Sequence, residues 1–447
     1  MKRREFLSRA AIAGGAFVLG TGCSRTIEKK GVNAPSEENS TSEETGFITE
    51  PQRRIPVFAT TDVLVVGGGP AGTAAAIAAS RMGADTWVIE RYNHLGGLWT
   101  GGEVLPLLST HAIDRNNKNR QVIYGLGDEM WQRLREMGMS VSDVNPVIDP
   151  EAGKYVLEKM IIDAGVKVLY HSYAAGVVMD GDRIKGVIVE NKSGRSAIVA
   201  KIVIDCTGDG DIFHLAGEDY ESMKYHIGLV HRLGNVDKID TTRPGYISHP
   251  IGSETPLSGI NWVNMHGKDD QDGTDALTLS NLQVEYRQQI WENYFRMKQT
   301  PGYEDIFIVD TASQLGVRMS RIVAGEYKLT LEDTMTFKKF DDSIGISGAW
   351  TPMLYNGKSV PVRERPLWHI PLRSLVPRKI DGLLVAGRCF CFEKELAEDT
   401  RIIGTCLVTG HGAGIAAVLA VKERMDLRDP DLGKLRKELL SQKVYLG

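Results

Sequence analysis

A chain of 447 residues with 42% hydrophobic content can bury a large core and, by its length, two linked lobes. Its net charge of −4 comes with no basic stripe, which argues against a nucleic-acid binder, because phosphate affinity needs clustered Lys and Arg. The five cysteines, Cys23, Cys206, Cys389, Cys391 and Cys406, are too few and too scattered for a secreted disulfide framework. Cys389-Phe-Cys391 fits neither a zinc ribbon nor an iron–sulfur run, so these residues read as small buried apolar groups and no metal is expected.

The first element is the leader MKRREFLSRAAIAGGAFVLGTGC. Arg3 and Arg4, then Phe6-Leu7, then a short apolar stretch broken by Gly14 and Gly15, resemble the bacterial twin-arginine export signal, whose machinery moves folded proteins. The alternative is an amphipathic N-terminal helix of a cytoplasmic protein. Cys23 closes a segment similar to a lipoprotein cleavage box, with Leu19 one place further from the cysteine than usual. Residues 24–56 are polar and charged and cannot bury enough apolar surface to order themselves, so a disordered tether is expected. The resemblance implies a periplasmic or cell-envelope protein, with membrane anchoring if Cys23 is acylated. Past the leader, no apolar run is long enough to span a bilayer.

Next comes DVLVVGGGPAGTAAAIAASRMGADTWVIE, Asp62 to Glu90. Val63 to Val66 read as a buried parallel strand, and the alanine-rich segment after Pro70 and Ala71 reads as a helix. Between them Gly67, Gly69 and Gly72 have GxGxxG spacing. The first permits a tight turn, the second lets a pyrophosphate approach the backbone, and the third lets the helix pack on the strand. The helix start offers free N–H groups to phosphate. A second strand ends at Glu90, twenty-three residues beyond Gly67, where a carboxylate accepts hydrogen bonds from ribose hydroxyls. From these residues alone, the bound group is a flavin or nicotinamide dinucleotide.

Further pieces narrow the choice. Arg91 and a second glycine loop, HLGGLWTGG with Gly97 and Leu98, follow at once. A β-meander then runs into CTGD ending at Asp209, DGLLVAGRC holds Gly387 and Arg388, and TRIIGTCLVTGHGAGIAAVLA begins at Thr400. In this order they resemble the FAD-dependent oxidoreductase family. That family has a Rossmann-like FAD domain of the glutathione-reductase type, a parallel sheet plus β-meander, interrupted by a mixed α+β substrate domain. The expected layout is FAD domain at 57–217 and 368–425, substrate domain at 218–367, and a tail helix at 426–447. The resemblance implies FAD as cofactor, held by Gly67, Gly69, Pro70, Ala71, Gly72, Glu90, Arg91, Gly97, Leu98, Asp209, Gly387, Arg401, Gly404 and Thr405. No second strand–GxGxxG–helix unit exists, so electrons are expected to pass through the substrate or an external partner such as a quinone, a cytochrome or oxygen. FAD is captured in a folded cleft, which suits export of an already folded chain.

Catalytic candidates are Arg388, Lys394 and His411. Lys394 stands where the family often carries a histidine, and His411 where relatives often carry glutamine. His369, before Ile370-Pro371, reads as structural or ring-facing. Arg318 and Arg321, three apart, could clamp an anion or form salt bridges. Trp262, Trp291, Trp350 and Trp368 could line a pocket or fill core. The expected activity is hydride transfer between a small organic substrate and flavin N5. The alternatives are a non-catalytic electron relay and a flavin enzyme with no net redox change.

Overall fold

The computed structural model describes residue 50 and residues 52–114 and 116–447. The twin-arginine leader, Cys23 and nearly all of the polar tether lie outside the described residues. Strand β1 (Val57–Val66) is exposed at its start and buried from Val63 onward, where Val63, Leu64 and Val65 lose all contact with solvent. A run buried on both faces is what a central parallel strand requires. Helix α1 (Pro70–Arg81) follows with proline at its first turn, where no intrahelical N–H is lost. Its residues Ala71 to Ala79 are all buried. Strand β2 (Thr86–Ile89) returns parallel to β1.

After helix α2 (Pro150–Asp163), strand β3 (Lys167–Leu169) adds to β2. Strands β4 (Tyr173–Asp180), β5 (Arg183–Asn191) and β6 (Gly194–Asp205) form the antiparallel meander. The sheet order is β3-β2-β1-β6-β5-β4. Strand β6 pairs parallel with β1 on one edge and serves two partners on the other. Its first half pairs antiparallel with β5, and its last three residues pair parallel with the strand Leu383–Val385, which returns from far along the chain.

Between these parts lies a smaller, mixed region. Strands β7 (Tyr225–Gly228), β8 (His231–Gly234), β9 (Ser253–Glu254), β10 (Ile260–Val263) and β11 (Lys268–Gln271) precede the long helix α3 (Ala276–Lys298). Strands β12 (Phe307–Thr311) and β13 (Gly316–Val317) close it into sheets ordered β9-β10-β8-β12 and β11-β7-β13. Ile227, Leu229 and Val230 pack here on Leu282, Tyr286 and Ile290 of α3, apart from the main core. Met319, Ile322, Leu329 and Ile344, by contrast, belong to the main core. The region with its own packing is therefore narrower than the 218–367 span expected from sequence. Residues 54–447 form one compact unit.

Strand β14 (Leu383–Val385) leads to helix α4 (Ile403–Glu423), which is buried continuously from Ile403 to Leu419. Contrary to the expectation that no apolar run past the leader could span a bilayer, it is long and apolar enough to do so, the one such helix among the described residues; almost all of it is enclosed by the fold, so it is a core helix. It lies directly on α1 because both present small residues. A Cβ at Gly410 would sit 2.0 Å from the Ala71 carbonyl oxygen, and one at Gly414 2.3 Å from that of Ala75. The final helix, α5 (Leu432–Ser441), packs Leu435 and Leu439 into the main core.

Candidate active site

The glycine turn between β1 and α1 has three positions with three different demands. Gly67 has φ +97, and an added Cβ would meet the Cys206 carbonyl oxygen at 2.4 Å. Gly72 sits on the same turn, its missing Cβ falling 1.8 Å from the Gly67 oxygen. Gly69 is open, with nothing within 4 Å of where a Cβ would be. It is the N-cap of α1, and no side chain caps the helix. Free N–H groups and unfilled space at a helix start suit a pyrophosphate.

The second glycine loop folds over the first. Gly96 donates its N–H to the Gly68 oxygen (2.8 Å), and a Cβ at Gly97 would lie 3.1 Å from Gly69 Cα. Glu90 accepts from Gly68 N–H (2.7 Å) and from Tyr92 N–H (2.8 Å), one bond to each carboxylate oxygen. Each oxygen keeps a lone pair for a ribose hydroxyl. Gly67, Gly69, Pro70, Ala71, Glu90, Arg91, Gly97 and Leu98 all line one cleft of about 1110 Å³.

The end of β6 forms the next wall. Asp205, fully buried, accepts from Thr207 N–H and Oγ1–H and from the N–H groups of Ile212 and Phe213. These bonds shape the turn through Asp209, while burial pushes the Asp205 carboxyl up to about 6. Sequence reading missed Asp205, whose position at a strand end just before the TGD turn was the available signal. Gly208 has φ +78 and lies so close to the Arg388 guanidinium that a Cβ would fall 2.0 Å from Nη1. Arg388 donates to Asp209 Oδ1 (2.6 Å), and Ser320 Oγ donates to the same oxygen (2.9 Å). Gly387, Arg388 and Asp209 all line the cleft.

Beyond Arg388 the cleft passes the start of α4, where Ile402 caps the helix without a side-chain bond, and enters the smaller region. Trp262, Trp350, Leu279, Gln283, His226 and Arg318 line this end. Trp350 is held by a buried pair: its N–H donates to Asp399 Oδ1 (2.7 Å), and Asp399 pairs with Arg365 at 2.5 Å, both side chains at most 1% exposed. Arg232 of β8 ties the smaller region to the rest, meeting Asp310 on β12, Asp149 at the start of α2 (3.4 Å) and Glu103 (4.0 Å). Burial, reinforced by Asp310, pushes Glu103 up to about 8.

Several residues singled out by sequence take other places. Lys394 is exposed on the surface, donating to the Ser222 oxygen (3.2 Å) and facing Glu221 (3.7 Å), outside the cleft. The short turn after Phe392 carries it away, so a role at the ring is not met. His411 is buried within α4 and bonds Gln442 of the tail (3.0 Å), also outside the cleft. Gly404 is explained by packing, since a Cβ would meet the Leu108 oxygen at 2.9 Å. Thr405 is fully buried, its Oγ1 bonded to the Asp399 oxygen (2.8 Å) and to Ser347 Oγ (2.7 Å). Arg401 does line the cleft, paired with Glu398. His369 is buried against Ser343 Oγ (3.0 Å). Among the tryptophans, Trp262 and Trp350 line the cleft, Trp368 is core and Trp291 is partly exposed. Cys206, Cys389, Cys391 and Cys406 are buried free thiols.

A strand–glycine-turn–helix cradle, an acid at the second strand end and a second loop closed over it define a dinucleotide-binding redox fold. The sequence pattern of the family described as FAD dependent oxidoreductase matches residues 62–243 and 230–439, and the chain belongs to that family. Its cofactor is FAD, and it is an enzyme. Among curated relatives, it is 26% identical over 245 residues to the digeranylgeranylglycerophospholipid reductase of Methanocaldococcus jannaschii, covering 52% of this chain and 59% of that one. It is 32% identical over 161 residues to the thiamine thiazole synthase of Methanococcus vannielii, covering 33% and 56%. The chain thus spans less than two thirds of these relatives. A solved geranylgeranyl bacteriochlorophyll reductase-like protein from Thermoplasma acidophilum aligns over 86% of this chain and 84% of its own, at 16% identity and a TM-score of 0.44.

Proposed function

We propose that the protein is an exported enzyme that transfers a hydride between a small organic substrate and N5 of its flavin, then exchanges the electrons with an external quinone, cytochrome or oxygen. One observation carries this reading. The cleft does not end where a dinucleotide would: it runs on past Arg388 and the start of α4 into a chamber walled by Trp262, Trp350 and α3. An electron relay needs only an exposed cofactor edge, whereas a substrate enzyme needs such a chamber.

When bound, the flavin supplies a hydride acceptor at N5, with negative charge developing near N1 and O2. The residues divide the remaining work. Gly69 and the uncapped start of α1 receive the pyrophosphate, and Glu90 orients the ribose. The uncapped start of α4 offers N–H groups and a positive dipole end to developing negative charge. Trp262, Trp350 and Leu279 give the chamber apolar walls.

The test is anaerobic addition of sugars, alcohols, amines and unsaturated acids to the purified yellow protein. Bleaching of the oxidised flavin, or reoxidation of the reduced one, by a small molecule supports the proposal. Response only to protein partners would favour a relay, and turnover with no redox change a flavin of structural role. Export through the twin-arginine route predicts that replacing Arg3 and Arg4 by lysine keeps the protein in the cytoplasm, and mass spectrometry of the mature N-terminus decides whether Cys23 is acylated.

A further inference from the structure

We propose that Arg318 anchors a carboxylate of the substrate, so that the enzyme acts on a small organic acid. This rests on the reading above that the chamber beyond the start of α4 is the substrate site.

Five arginines line the cleft, and four of them already have an acid. Arg388 pairs with Asp209 (2.6 Å), Arg91 approaches the same group (3.8 Å), Arg321 pairs with Asp211 (3.2 Å) and Arg401 pairs with Glu398. Arg318 differs. It meets no carboxylate among the described residues, and its partners are neutral oxygens. Nη1 donates to the carbonyls of His226 (3.3 Å) and His266 (3.0 Å), while Nη2 reaches Asn264 Oδ1 (3.4 Å) and the Met265 carbonyl (3.5 Å). The carbonyls fix the plane of the guanidinium. The two Nη2 contacts are long, and a carboxylate at ordinary charge-assisted distance would replace them with stronger bonds.

Charge balance gives the ligand its valence. Arg401 and Glu398 cancel, and Glu398 is held further by the Tyr225 hydroxyl (2.5 Å). One positive charge is left, in a place where burial and the neighbouring Arg401, opposed in part by Glu398, press the guanidinium down to about 10. It remains charged at neutral pH, and a half-buried guanidinium that must share Glu398 with Arg401 is under-compensated. A single carboxylate restores neutrality; a phosphate dianion would overshoot it.

The adjacent side chains do not favour a cation. His226, His266 and Asp269 bring ligand atoms within 4.8 Å of one another, and the two imidazoles stack at 4.2 Å. Arg318, however, is bonded to the backbone of both histidines, so a divalent ion there would sit beside an uncompensated positive charge.

The experiment is calorimetric titration of the FAD-loaded protein with lactate, succinate, fumarate and benzoate, each paired with its amide. At least one carboxylate should bind, its amide at least tenfold more weakly. Arg318→Gln should weaken the carboxylate at least tenfold and leave the amide within twofold, with flavin content unchanged. Arg318→Lys, which keeps the charge, should recover part of the loss. Equal binding of acid and amide, no binding by any of the acids, or an Arg318→Gln affinity within twofold of the parent would overturn the proposal. Calorimetry needs no turnover, so the two readings separate. Carboxylate binding through Arg318 with no flavin reduction by any small molecule defeats the proposed function and leaves Arg318 as a carboxylate anchor. Flavin bleaching by neutral compounds, with acids failing to bind, defeats only this inference.

Discussion

The contrast between Gly67 and Gly69 tests how the cofactor is cradled. Gly67→Ala places a side chain at φ +97, outside the conformations L-residues favour, which costs on the order of 1–3 kcal/mol. Its Cβ would also lie 2.4 Å from the Cys206 oxygen and 2.9 Å from Thr207 Cα, and both are backbone that cannot rotate away. Relieving such a clash costs about another 1–3 kcal/mol. The sum is a large share of the roughly 5–15 kcal/mol that holds a domain together. Gly69→Val behaves in the opposite way. The residue has φ −67 and ψ −174, which valine adopts, and no atom lies within 4 Å of the new Cβ. Stability of the flavin-free protein should fall by no more than about 1 kcal/mol, the cost of a poorer N-cap residue and well short of Gly67→Ala. The added methyls fill the pyrophosphate's space, so FAD affinity should fall at least about tenfold, or roughly 1.4 kcal/mol. Thermal melts of flavin-free protein and flavin titration measure the two quantities separately. A Gly69→Val protein that binds FAD as tightly as the parent would refute the cradle. So would a Gly67→Ala protein with unchanged stability.

Three further outcomes are expected. Glu103 titrates near 8 in the fold against an ordinary 4.5, so the unfolded chain binds fewer protons between these values and stability falls as pH rises through that window; denaturant melts of Glu103→Gln should lose this slope. His411 is held down to about 4 by burial, so its contribution is full above about 6.5 and is lost as pH falls towards 4, a decline that His411→Gln should flatten while turnover persists. Arg365→Met leaves Asp399 buried without its cation and should cost about 3–5 kcal/mol in a chemical melt, whereas Lys394→Ala, on the surface, should cost less than about 1 kcal/mol and leave turnover intact.

What was legible in the sequence was local. Gly67, Gly69, Gly72 and Glu90 lie within one β–α–β unit, so their spacing alone fixes their relation, and the structure places Gly67, Gly69 and Glu90 on the cleft wall. Cofactor roles for Gly404 and Thr405 were inferred from a motif, but their partners, Leu108, Ser347 and Asp399, come from other parts of the chain. Lys394 is a candidate only by its place in the family's motif, and that place does not tell that the turn after Phe392 leaves the cleft. Asp205, Glu103 and the Arg365–Asp399 pair matter through burial and long-range contact, neither of which spacing encodes. Arg318 shows both sides: the sequence offers it beside Arg321 as an anion clamp, and only the fold separates them, pairing Arg321 with an acid and, among the described residues, Arg318 with none.

The most direct measurement is rapid anaerobic mixing of the FAD-loaded protein with a substrate that bleaches it, compared with the same substrate deuterated at the reacting carbon. Hydride transfer from a substrate in the chamber to the flavin predicts flavin reduction without any protein partner, slowed by the deuterium. Reduction at an unchanged rate, or only when a second redox protein is added, would contradict it.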